Sequence, residues 1–213
     1  MNPGLPILIV TAASIGFFHT LTGPDHYVPF IVLSKARGWS LKKTGLLTVM
    51  CGLGHVLSSV VLGVIGIAAG ILLSRLEMFE SVRGNIAGWF LLAFGVGYTL
   101  WGVYKIVKPT SHTHDHGDRT SLTPWVLFII FVFGPCEPLI PLLMYPAAEH
   151  SAWGVVLIAA VFSVVTIATM TAIVLAAWFG AGLVRLHALE RYGHLIAGLM
   201  LFFSGFAIQA LGL

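Results

Sequence analysis

The chain of 213 residues is 58% hydrophobic and only 9% charged, with a mean hydropathy of +0.97, against about 25% charged residues in soluble domains. These figures exclude a water-soluble enzyme, a nucleic-acid module and a disordered tail, and assign the chain to a lipid bilayer. The formal net charge of +3 then reports how loops are distributed about the membrane rather than an affinity for nucleic acid.

A spanning helix takes about 20 mostly apolar residues. Six blocks poor in charge meet that length, near 5–33, 43–73, 84–105, 122–147, 152–182 and 191–213. Leu, Ile, Ala and Gly run through each block without the alternation of a membrane β-barrel, so the fold class expected is an all-α polytopic membrane protein with six transmembrane helices. The first Lys or Arg is Lys35. The amino-terminal stretch thus lacks a basic n-region, and Met1–Thr22 is expected to stay as a membrane segment.

Basic residues mark the cytoplasmic side. The first loop carries Lys35, Arg37, Lys42 and Lys43, the third Lys105, Lys108 and Arg119, and the fifth Arg185 and Arg191. The second has Arg75 and Arg83 alone, and the fourth none, which makes nine against two. The expectation is an integral protein of the cell (inner) membrane with both termini outside, or periplasmic where that space exists.

Arg75-Leu76, Glu80, Ile86-Ala87-Gly88, Gly95 and Gly102 recur 110 positions later as Arg185-Leu186, Glu190, Ile196-Ala197-Gly198, Gly205 and Gly212. Gly23-Pro24-Asp25-His26 likewise matches Gly134-Pro135-Cys136-Glu137 at an offset of 111. The expected organisation is a first three-helix repeat at 1–107, a His-rich cytoplasmic loop at 108–121 and a second three-helix repeat at 122–213. An odd number of spans inverts the second repeat relative to the first, the plan that places a transporter's site at the midplane between discontinuous helices. Both Gly-Pro pairs lie well inside their blocks. Proline removes a donor and clashes with the preceding turn, so helices 1 and 4 are expected to be broken.

Ionisable groups in hydrocarbon are costly enough that each one is a candidate functional residue. His19, Asp25 and His26 fall in the first block, His55 in the second, and Cys136 with Glu137 in the fourth. Thr166 matches His55 at the repeat offset. Imidazoles with a carboxylate suit nickel, cobalt or zinc, whereas calcium and magnesium prefer oxygen shells. The expected metal ligands are His19, Asp25, His26 and His55, with Glu137 and Cys136 completing or gating the site from the second repeat. The pathway is expected to pass Pro24, Pro135 and Thr166. His194, near the start of the last block, is expected only to hydrogen-bond a neighbouring helix.

The run His19-Thr20-Leu21-Thr22-Gly23-Pro24-Asp25-His26, followed by Leu53-Gly54-His55, resembles the signature of the nickel/cobalt transporter superfamily, including its NicO-like and urease-accessory-like branches. Five residues separate His19 from Asp25, where the nickel permease pattern has four. The resemblance implies transport rather than catalysis. The divalent metal is then substrate, with no prosthetic group, and the partners are the metal ion and the bilayer, with no nucleic acid and with homo-oligomer formation left open.

His112, His114 and His116 alternate along the third loop and offer accessory metal ligands. A cytoplasmic metal trap and a solvated linker both fit that composition. Two other readings stay open for the whole chain. A sulfite-type anion exporter would need Arg or Lys at the midplane, and none is expected there. A thiol-relay protein would need Cys51 and Cys136 to meet. Trp39, Trp101, Trp125 and Trp153 fall near block ends, as interfacial rings do. The Gly-rich runs 63–70 and 95–102 suit close helix packing.

Overall fold

A computed structural model describes residues 4–108, 122–149, 151–183 and 187–211. Eight α-helices account for most of them, and no strand occurs among the described residues. Helix α1, Leu5–Thr22, leads through a 3-10 turn, Pro24–His26, into α2, Val28–Ala36. Helices α3, Leu41–Ala68, and α4, Leu73–Val107, follow. Then come α5, Leu122–Phe133, α6, Leu139–Ala148, α7, Ala152–Leu183, and α8, His187–Leu211.

Five of these, α1, α3, α4, α7 and α8, are long and apolar enough to cross a membrane. The block at 122–147 forms the two shorter apolar helices α5 and α6 instead, with Gly134–Pro138 between them. The block at 5–33 is likewise divided at Gly23, so both Gly-Pro pairs interrupt their helices. Gly23 still donates to the His19 carbonyl at 3.0 Å, the last bond of α1, before Pro24 ends the ladder. Large side chains such as Ile7, Val10, Leu100, Trp153 and Val164 remain exposed around the bundle. In a bilayer those surfaces face lipid, and the chain is a membrane-embedded helical protein.

One boundary departs from the sequence reading. Helix α4 begins at Leu73, eleven residues before 84, so Arg75, Glu77, Glu80 and Arg83 lie on a helix and not in a loop. A charge-free window stops at Arg83, whereas the fold carries the helix through it by pairing Arg83 with Glu80 one turn earlier. The turn between α3 and α4 is correspondingly short and uses Gly70 at a φ of 65°.

Helices α4 and α8 cross backbone to backbone. A Cβ at Gly95 would collide with Phe202, and one at Gly205 with Leu92. The adjoining contacts pair Gly88 with Gln209 and Gly198 with Thr99. Each pair maps onto the other when 110 is added to one partner and subtracted from the second. As the contact positions rise along α4 they fall along α8, so the two helices are antiparallel. Absent side chains at these positions give the close approach that membrane helices use in place of a hydrophobic driving force.

The interior divides into two apolar clusters. One gathers Phe30, Leu33, Cys51, Leu127, Met170 and Leu201, and the other Ala12, Val56, Cys136, Leu143, Ile158 and Phe162. At one end, Lys35 Nζ donates to the Trp178 carbonyl at 2.9 Å, and Arg37 Nε donates to Tyr98 Oη at 3.0 Å. Lys43 lies over Trp39 and Lys105 over Trp101. Those contacts bring Lys35, in the last turn of α2, and Arg37 just after it toward the carboxyl ends of α7 and α4, a belt of cations on aromatic rings.

Gly95→Val is expected to destabilise the bundle by about 1–3 kcal/mol, the range for forced overpacking. Thermal unfolding in detergent measures it, with Gly97→Ala as the control because nothing lies within 4 Å of a Cβ there. Equal melting of the two variants would show that the α4–α8 crossing is not tightly packed.

Candidate functional site

The break after α1 gathers the site. His19 sits in the last turn of α1, His26 ends the 3-10 turn, and His55 lies midway along α3. The His19 and His26 ring centroids are 4.8 Å apart, and those of His26 and His55 are 5.0 Å apart, each pair edge to face. One nitrogen from each ring falls within 4.8 Å of the other two. Among the described residues these three form the one group of three or more His, Cys, Asp or Glu gathered closely enough to share an ion.

The protons on these rings follow from their neighbours. His26 Nδ1 lies 3.1 Å from the Gly23 carbonyl and 3.2 Å from Asp25 Oδ1, two acceptors, so Nδ1 carries a proton and, in the neutral ring, Nε2 presents the lone pair. His55 Nδ1 and the Phe131 carbonyl oxygen at the end of α5 both face Gly134, where an added Cβ would stand 3.0 Å from the nitrogen and 3.2 Å from the oxygen. Nε2 of His19, His26 and His55 are all buried and have no hydrogen-bond partner. Buried polar atoms are rarely left unpaired, and all three histidines share that condition. Zinc-like ions bind nitrogen at about 2.0–2.1 Å, which sets donors about 3.3 Å apart in a tetrahedron, closer than the 4.8 Å span of these rings.

Asp25 adds a carboxylate to the rim, with its side chain 29% exposed while that of His26 is 4% exposed. Asp25, His26 and His55 line a cleft whose other walls include Gly84, Phe131, Gly134, Pro135 and Ile208. Pro24 shapes the first break and Pro135 the second, and Pro135 packs against Gly84 of α4.

The second-repeat candidates are placed differently. Glu137 is exposed, and the Cys136 side chain is buried within an apolar cluster beside Val56 and Leu139. Neither belongs to the histidine group. Thr166 is fully buried, and its Oγ1 has no partner. That hydroxyl lies beside Gly16 of α1, one turn before Thr20. His194 Nδ1 meets Tyr98 Oη at 3.1 Å, the hydrogen bond to a neighbouring helix that the sequence suggested. His112, His114 and His116 lie outside the described residues.

The expectation that no Arg or Lys lies near the site is overturned. Arg83 is 18% exposed and Glu80 not at all, and they form an ion pair inside the bundle. Nη2 of Arg83 donates to Ser58 Oγ at 2.6 Å, to the Val132 carbonyl at 2.8 Å and to the Gly134 carbonyl at 3.3 Å. Glu80 Oε2 accepts from Ser59 Oγ at 3.2 Å and from the Cys136 backbone N–H at 3.1 Å. The pair therefore caps both sides of the second break, carbonyls by the guanidinium and an amide by the carboxylate. A Glu-x-x-Arg spacing, two residues on one helix face, was the available signal. It is easily taken for the edge of a loop.

No family model, curated protein or solved structure matches the chain. Its chemistry is accordingly argued from these residues.

Arg83→Met would leave a carboxylate buried without its partner. The expected cost is about 3–5 kcal/mol, the range for breaking a buried ion pair from one side. It is read from the unfolding midpoint in detergent, and a loss below about 1 kcal/mol would show that Glu80 finds another partner.

Proposed function

We propose that the protein is a membrane transporter for a divalent transition-metal cation, bound as substrate by His19, His26 and His55 with Asp25 beside them. The single observation carrying this reading is the gathering of three histidines, one ring nitrogen of each within 4.8 Å of the others and each Nε2 buried without a partner, at a break in a membrane helix. Nitrogen donors of this kind suit nickel, cobalt or zinc. The resemblance of the His19–His26 run and Leu53-Gly54-His55 to the nickel/cobalt superfamily narrows the proposal to nickel or cobalt. The proposed ligand set is narrower than the sequence suggested, since Cys136 is packed in the apolar interior and Glu137 is exposed.

The proposed architecture is a pair of inverted three-helix repeats working by alternating access. Broken helix, long helix, long helix occurs twice in chain order, as α1–α2, α3, α4 and as α5–α6, α7, α8. The reciprocal contacts of α4 with α8, and their antiparallel course, are what a twofold axis in the membrane plane produces. The clustering of basic residues at one end supports a cytoplasmic assignment for that end, with both termini opposite.

The alternatives fare less well. Both terminal nitrogens of the Arg83 guanidinium already face Glu80, the α3 serines or the carbonyls at Val132 and Gly134, leaving little for a sulfite-like anion. Cys51 and Cys136 are both free and buried, in separate apolar clusters, which offers a thiol relay no meeting point.

Reconstitution in liposomes tests the reading. Flux of nickel or cobalt is expected from the wild type, with a fall of at least about tenfold in His26→Ala and His55→Ala at equal membrane insertion. Affinity should weaken as pH falls, because protons compete for the same lone pairs. Full flux in a Cys51→Ser/Cys136→Ser variant is also expected. Tight binding without flux would make the protein a sensor, and metal flux unaffected by either histidine change would remove the site.

A further inference from the structure

We propose that the buried Glu80–Arg83 pair is a positioning device for His55. By pinning the break between α5 and α6 it holds the Phe131 carbonyl against the His55 ring, keeping the ring proton on Nδ1 and Nε2 free toward the shared centre. This deepens the metal reading and rests on it in one respect, that His55 is a ligand.

The geometry runs through one guanidinium. On the α3 side, Ser58 Oγ donates to the His55 carbonyl at 2.8 Å and accepts from Arg83 Nη2 at 2.6 Å. The same nitrogen reaches the carbonyls of Val132 and Gly134, on either side of the point where α5 ends. Arg83 thus ties the turn carrying His55 to the segment carrying Phe131. The space between them is just what Gly134 leaves open. A Cβ there would stand 3.0 Å from His55 Nδ1 and 3.2 Å from the Phe131 oxygen.

Glu80 makes that arrangement tolerable by balancing the charge and taking the Cys136 amide, which Pro135 and the broken ladder leave without a helical partner. Stability alone is a poor reason for such a pair. Well-packed apolar residues of similar volume often serve a protein as well or better, whereas a fixed network of charged hydrogen bonds specifies one geometry. Partners that orient a ligating histidine typically change metal affinity 10–100-fold when lost. His26 needs no such help, because Gly23 and Asp25 on its own segment already hold its Nδ1.

The test uses full-length protein labelled with 15N at histidine, in detergent, at fixed pH and free of metal, followed by titration with nickel. Wild type, Arg83→Gln and Arg83→Lys are compared, with His55 assigned by the signal missing in His55→Gln. Lysine keeps the charge beside Glu80 but cannot span the serines and two carbonyls with one nitrogen, so it decides the matter where Arg83→Gln does not fold. The expected result is a His55 signal of the Nδ1–H form in the wild type that becomes a mixture of tautomers in Arg83→Lys, with His26 unchanged and nickel binding 10–100-fold weaker. A folded Arg83→Lys protein whose His55 keeps the wild-type tautomer overturns the proposal, whatever its nickel affinity. A tautomer that responds in a protein that takes up no nickel leaves the positioning intact and removes the metal reading instead.

Discussion

Interrupting a helix inside hydrocarbon strands backbone donors and acceptors where water cannot reach them, and each unsatisfied group costs several kcal/mol. The fold accepts that cost twice. At the first break, Gly23 donates to His19, His26 N–H donates back to the Gly23 carbonyl, and that carbonyl accepts a second bond from His26 Nδ1. At the second, Pro135 and Pro138 have no N–H, Gly134 donates to Ile130, and Cys136 donates to Glu80. Two carbonyls there are taken by Arg83. Everything else about the site depends on these settlements.

The two solutions occupy corresponding places and differ in kind. Asp25-His26 stands opposite Cys136-Glu137, and His55 opposite Thr166, at the same offset of 111. Where the first half uses short-range contacts from within its own turn, the second borrows charged side chains from α4. A consequence follows for the electrostatics of the centre. The formal charges of Glu80 and Arg83 cancel locally, so the carboxylate that carries net charge beside the histidines is that of Asp25, on the first-half side. The three histidines and the Glu80–Arg83 pair all lie in the first half, and the pair reaches across to hold the break in the second.

Much of this was legible from residues alone. Gly-Pro pairs deep in apolar blocks announced both breaks, because the physical objection to helix continuation is local and does not depend on packing. His19, His26 and His55 could be singled out for the same kind of reason, since three imidazoles in hydrocarbon are costly wherever they point. What the sequence did not disclose was partnership. Arg83 reads as the boundary of a span when charge is counted along the chain, and only the approach of Ser58, Val132 and Gly134 from two other helices turns it into an interior residue. Glu137 shows the converse. It aligns with His26, yet it emerges exposed, because the residue before it packs inward and successive positions around a tight break point in different directions.

The reciprocal glycine contacts explain why those partnerships can be held in register. Backbones of α4 and α8 that approach without intervening side chains fix the position of α4 to a fraction of a turn, since sliding would drive Cβ-bearing residues such as Thr99 and Leu92 into the facing helix. Arg83 lies on that same helix, one residue before Gly84, whose missing side chain admits Pro135. A glycine seam along one face therefore sets the height at which the guanidinium meets the second break on another. Through the hydroxyl of Ser58 that height is transmitted to the turn of α3 bearing His55. Small residues far from any ligand atom thus take part in deciding whether three imidazole nitrogens converge.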